Sequence, residues 1–157
     1  MNGFMSATMA LLGASLLGAS TFAGAKAAPS RQEAETASDA VVVIGAIRQT
    51  GQAASMAKLV DGRVGTGIVA VRHMVDKGWL KSIPRNPTDA QPSGYAVPRT
   101  IGGTTVVGMR LVDDARMVCD EISRQMSGTW PAPVSDEVLA HEGCVVTSSG
   151  PIAYMMV

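Results

Sequence analysis

The first 25 residues of the chain carry no charged side chain; Lys26 is the first one met. Such a stretch must be buried in lipid, packed among other helices, or removed after targeting. As a secretory signal it would use residues 9–23 as its apolar run and Ala23, Ala25 and Ala27 as small cleavage-site residues, but no positive charge precedes Lys26. As a helix, residues 4–25 are long enough to cross a bilayer, which takes about 20 apolar residues. The run is rich in Gly, Ala and Ser, and that composition suits packing against other helices, because small side chains let backbones approach closely. Gly13, Leu17 and Gly18, with Ala10 and Ala14, form the expected packing face.

The remainder reads as one small domain. A chain of 157 residues with 46% hydrophobic content excludes a large multi-domain enzyme and general disorder. Thirteen Lys and Arg balance thirteen Asp and Glu, so net charge gives no case for a nucleic-acid partner. The charges are nevertheless uneven: residues 1–60 hold four basic and three acidic side chains, 61–110 seven and three, and 111–157 two and seven. The expectation is that the basic middle and acidic end pair within the fold; the alternative is that copies attract one another head to tail.

Pro29 marks a junction, since proline removes a backbone donor and restricts the residue before it. From about residue 38 to 60, Val43, Ile47, Ala54, Ala57 and Val60 approximate a helical stripe that Asp61-Gly62 ends. A second helix is expected over 66–77, capped by Thr66 and closed by Gly78. Four prolines between 84 and 98 make 82–93 an irregular loop. Strand signals at 95–98 and 104–112 flank Gly102-Gly103 and read as a hairpin. Asp113-Asp114 opens a third helix that Gly128 ends, and 144–147 with 152–157 form a closing hairpin.

Few residues offer chemistry. Cys119 and Cys144 are the only cysteines, and an even count in a small exported chain favours a disulfide; in a cytosolic chain they would be two free buried thiols. Neither belongs to a CxxC pair. His73 and His141 lack spaced ligand partners, so no metal or cofactor is expected. There is no GxSxG elbow, and Gly62, Gly65 and Gly67 lack the Lys-Ser/Thr ending of a phosphate loop, so no catalytic residue is expected.

The order of parts resembles type IV pilins and the related pseudopilins: an apolar helix running into an amphipathic one, a loop, a small antiparallel sheet and a two-cysteine C-terminal segment. Gly3-Phe4-Met5 resembles the prepilin-peptidase junction, with cleavage after Gly3 and Phe4 as the methylated first residue. Residues 77–87, with Gly78-Trp79-Leu80, Ile83-Pro84 and Asn86-Pro87, resemble a passage that many pilins carry after their helical region. Cys119 and Cys144 would then be the pilin disulfide, and the cysteine-bearing helix looks closest to the type IVb branch. Two departures stand out. Thr8 occupies the fifth mature position, where pilins usually have Glu, and the three-residue leader is uncharged. They point to a minor or divergent subunit, a chain start other than Met1, or an ordinary secretory signal.

The resemblance implies an α+β fold: residues 1–3 as leader, 4–28 as a hydrophobic transmembrane and filament-core helix, and 29–157 as a globular domain with a small antiparallel sheet and packed helices. It implies a non-enzymatic structural subunit, major or minor, of a type IV pilus or a related secretion or conjugative filament. Its partners would be other pilin subunits, the membrane, prepilin peptidase and the assembly machinery. It would lie in the bacterial inner membrane before assembly and in a cell-surface filament afterwards. The rival is a secreted or periplasmic soluble binding domain with a cleaved signal peptide.

Overall fold

A computed structural model describes residues 27–88, 94–112 and 114–157. The expected hydrophobic helix over 4–28, its packing residues Gly13, Leu17 and Gly18, and the Gly3-Phe4 junction lie outside them, apart from Ala27 and Ala28, which are exposed and irregular. The described chain is α+β, with the order α1 (Arg31–Asp61), α2 (Gly67–Asp76), β1 (Val97–Ile101), β2 (Thr104–Arg110), α3 (Arg116–Met126), β3 (Glu142–Thr147) and β4 (Gly150–Met156). Among the described residues, no helix is long and apolar enough to cross a membrane.

α1 starts seven residues earlier than the apolar stripe suggests, and the cause is local. Ser30 accepts from the Glu33 N–H at 3.2 Å, while the Glu33 carboxylate accepts from the Ser30 N–H at 2.7 Å. This reciprocal cap satisfies two donors that a helix start leaves open, so the polar turn over 31–38 joins the helix. Gly62, left-handed at φ 73°, closes it. α2 begins after Thr66, whose hydroxyl makes no capping bond, contrary to expectation. At its other end Gly78, at φ 73°, donates to Val75 and Trp79 N–H donates to Met74 O. α3 starts at Arg116 rather than at the acidic pair. Asp113 lies outside the described residues, and Asp114 sits within the turn closed by Ala115 N–H donating to Val112 O.

The four strands form one antiparallel sheet in the order β1-β2-β4-β3. Both expected hairpins are present, with β1 running on to Ile101 and β3 starting at Glu142. Residues 82–88 hold no helix or strand beyond an isolated bridge from Arg85 to Tyr95. The period of two sorts the strands onto two faces. Val107, Met109, Cys144 and Ala153 turn toward α1, α2 and α3, where they meet Val43, Ile47, Val71, Met74 and Ile122. Val106, Val145, Ile152 and Tyr154 turn to the other face, joined by Ile101 and covered in part by Val138.

The tight turn at Gly102-Gly103 separates two costs. Both residues have positive φ, at 53° and 81°. A Cβ on Gly102 would lie 2.9 Å from Glu137 Cα, whereas one on Gly103 would meet nothing within 4 Å. Gly103→Ala should therefore lose about 1–2 kcal/mol from the left-handed backbone alone. Gly102→Ala should lose about 1–3 kcal/mol beyond that, because the backbone at 137 must move. Denaturant unfolding of the two variants side by side checks the order; equal losses would refute the contact.

Candidate functional site

The sequence-derived residues that the structure brings together are the two cysteines. Cys119, on the inward side of α3, and Cys144, in β3, form a disulfide with Cα atoms 5.4 Å apart, and both residues are buried. α3 is amphipathic, so Val118, Cys119 and Ile122 face the sheet together, and the strand period aims Cys144 at the same layer. There is no free cysteine among the described residues, so neither sulfur is available as a nucleophile or metal ligand.

The bond closes a segment, residues 127–141, that is tied down along its length. Asp120 Oδ1 accepts from Ala132 N–H at 2.9 Å and from Arg116 Nε at 3.1 Å, while Arg116 Nη2 donates to Ala132 O at 3.1 Å. One ion pair on α3 thus grips both polar groups of a single peptide residue. Further on, Val146 N–H donates to Pro133 O and Ser135 N–H donates to Val146 O, adding a short parallel bridge to the edge of β3. Ala140 N–H donates to Tyr154 Oη at 3.3 Å. Between these ties the segment exposes Trp130, Val134 and Leu139.

Asp136 reads the β3–β4 turn. Its Oδ1 accepts from the Ser148 N–H at 2.8 Å and from the Ser148 hydroxyl at 3.0 Å. The backbone bond first, and the hydroxyl bond second, hold its carboxyl below the ordinary carboxylate range.

Two further features were not foreseen. An open cleft of about 730 Å³ lies where α1 hands over to α2, lined by Ala57, Asp61, Arg63, Thr66, Val69 and His73 among others. In it His73 Nε2 stands 2.8 Å from Asp61 Oδ2, with the Trp79 ring edge-on to the imidazole. The spacing of 12 between Asp61 and His73 carries no sequence signal, because it depends on the turn at Gly62. The other feature is the solvent side of α1, where Val41, Val42, Met56, Leu59 and Val60 are exposed. Of the expected stripe, Val43, Ile47, Ala54 and Ala57 mark the buried side, whereas Val60 is exposed and belongs to this second apolar side. Among the described residues, no group of three or more His, Cys, Asp or Glu is arranged to hold a metal ion.

The ion pairs among the described residues are mostly local. Arg116–Asp120 and Arg124–Glu121 pair within α3, Arg48 reaches Glu142 at 2.7 Å, Arg31 pairs with Glu35, and His73 with Asp61. Among the described residues, no ion pair joins the basic middle to the acidic end. Asp120 and Glu121 are met by arginines of α3 and Glu142 by Arg48 of α1; α3 packs on α1 and β3, whereas α2 packs on β1. Comparison with family models, with curated proteins and with solved structures yields no match.

Two outcomes test this site. Cys119→Ser should cost about 2–5 kcal/mol and open residues 127–141 to protease; protein purified without reductant that offers two alkylatable thiols would contradict the bond. The Asp136 contribution has a pH sign. A carboxyl held low in the fold stabilises above its unfolded pKa, about 3.9, and that contribution is lost as pH falls through the folded value. Protection of the Ser148 amide, measured as its exchange rate relative to the intrinsic rate at each pH, should therefore fall in acid below about pH 4, and Asp136→Asn should flatten that dependence.

Proposed function

We propose that this chain is a pilin-like structural subunit without catalytic activity, assembling into a type IV pilus or a related secretion or conjugative filament. The observation that carries the reading is the passage from the uncharged residues 4–25 into α1. Within a few residues, the chain enters a helix of 31 residues that packs on the sheet with one side and exposes Val41, Val42, Met56, Leu59 and Val60 on the other. Gly45, Gln49 and Gln52 add no charge to that exposed side. A helix apolar on both sides is suited to burial between its own domain and something else.

In this reading the hydrophobic helix lies within residues 4–26, Ala27 and Ala28 being irregular. It holds the subunit in the inner membrane after cleavage between Gly3 and Phe4, then packs among other pilin subunits in a surface filament. Gly13, Leu17 and Gly18 lie where helices approach closely. The disulfide-closed segment, with Trp130, Val134 and Leu139 exposed, is the part offered outward for contact. Prepilin peptidase and the assembly machinery are the partners, and no cofactor is needed.

Mass spectrometry of protein from the native host tests the processing. The expected mature chain begins at Phe4 with an added methyl group; one beginning near Lys26 or Pro29 would replace this reading with a secreted or periplasmic binding domain. The assembly role has its own test. Gly13→Leu and Gly18→Leu each raise apolarity, so membrane retention persists, but the larger side chains force neighbouring helices apart. Each variant should fractionate with membranes and be missing from sheared surface filaments. Normal incorporation of both would reduce the segment to a tether.

A further inference from the structure

The fold places unlike charge at the two ends of α1. α1, at 31 residues, is about 46 Å long at 1.5 Å per residue. At its first turns stand Glu33, Glu35 and Asp39. Gln32 Nε2 lies 3.6 Å from Met117 Sδ, which brings the start of α3, and exposed Asp114 just before it, to the same end. The local cation, Arg31, is committed to Glu35 at 2.8 Å. Beyond the other end of α1 come Arg63, Arg72, Lys77 and Lys81, all exposed and none with an ion-pair partner among the described residues. Two acids share this end, Asp61, whose carboxylate lies 2.8 Å from His73 Nε2, and exposed Asp76 beside Lys77, so the four cations stand against two acids. Between the two ends, the α3 and β3 acids are neutralised by Arg116, Arg124 and Arg48. Asp136 and Glu137 are also exposed and make no ion pair among the described residues, but the excess of acid stands at the start of α1 and the excess of base around α2.

We infer that a second copy of this chain is the partner of each pole, the acidic end of one copy docking on the basic α2 end of the next. Charge complementarity selects this occupant. The two poles have opposite sign and lie on one chain of zero net charge, and each carries exposed apolar surface beside its charges, Met117 at the acidic pole and Leu59 and Val69 at the basic one. Contact between unlike surfaces of identical chains is heterologous and leaves a free pole at each end, so it repeats without closing unless the rotation forms a ring. The inference goes beyond the helix-mediated assembly proposed above, since the globular charges alone carry it.

The test uses the full chain in a nonionic detergent, followed by sedimentation. Self-association should weaken at least tenfold between about 0.05 and 1 M salt, where the screening length falls to about 3 Å. Arg63→Glu with Arg72→Glu should abolish it, as should Glu35→Lys with Asp39→Lys, while far-UV circular dichroism and the Cys119–Cys144 bond stay unchanged. The chain carrying all four reversals should associate again, because both poles have changed sign. Association indifferent to salt, persistence in either double variant, or failure of the fourfold variant to recover would overturn the inference. So would a monomeric chain whose basic pole instead binds anionic vesicles or duplex DNA. A chain that fails here yet loses filament incorporation with Gly13→Leu leaves the helix reading standing, and the opposite pattern leaves the poles standing.

Discussion

α1 lies close on the sheet because the side it turns inward is built largely from small residues. Ala40, Ala46, Ala53, Ala54 and Ala57 are buried among Val43, Ile44 and Ile47. At Gly51 the approach is tightest: the thioether end of Met155 occupies the space a Cβ would need. A helix of larger side chains would stand further off and leave voids that a core at organic-crystal density does not tolerate. The seat of α1 sets the height at which α3 packs beside it, and so the level at which Cys119 meets Cys144.

The sheet has a second face, and the chain covers it without a helix. Val106, Val145, Ile152 and Tyr154 would otherwise present apolar surface to water. The segment between α3 and β3 is held by Ala132, Ser135, Asp136 and Ala140, and lays Val138 on that face. The disulfide closes the base of this strap, and Gly102, pressed against the backbone at 137, receives its far part. Arg99 is drawn into the same face across Gly108, where a Cβ would meet its Cδ at 3.0 Å. Burial, and secondarily the charge of Arg110, lowers its pKa from the ordinary arginine value. The second face is thus assembled from irregular backbone, a disulfide and one half-buried arginine.

What was legible in the sequence follows this division. The hairpins announce themselves through β-branched runs around Gly102-Gly103 and Ser148-Ser149, and α3 through its helical apolar spacing. The start of α1 was also readable, in Ser30 and Glu33 at capping-box spacing, but the stripe from Val43 onward outweighed it. The path of 127–141 was not readable, because its ties are single hydrogen bonds to distant residues, such as Asp120 to Ala132 and Asp136 to Ser148, with no local period. The Asp61–His73 contact and the pairing of Arg48 with Glu142 depend on helix placement in the same way.

The placement of charge shows why a sequence-order balance is a poor guide to pairing. Residues 61–110 and 111–157 have opposite net charge, and neutralisation between them is the natural guess. Sheet order keeps α2 and α3 apart: α2 packs on β1, at one edge, and α3 on β3, at the other, with two strands between them. Neighbouring strands are about 4.8 Å apart, so the edges are separated by more than the screening length at physiological salt, about 8 Å. Charged residues on α3 therefore find partners three or four positions away, and Glu142 of β3 finds Arg48 on α1, while those around α2 stay facing water. A cation left facing water costs the folded chain little by itself. Its interaction free energy is correspondingly still available to an outside partner of opposite sign, and on this chain surface of that sign lies at the far end of α1.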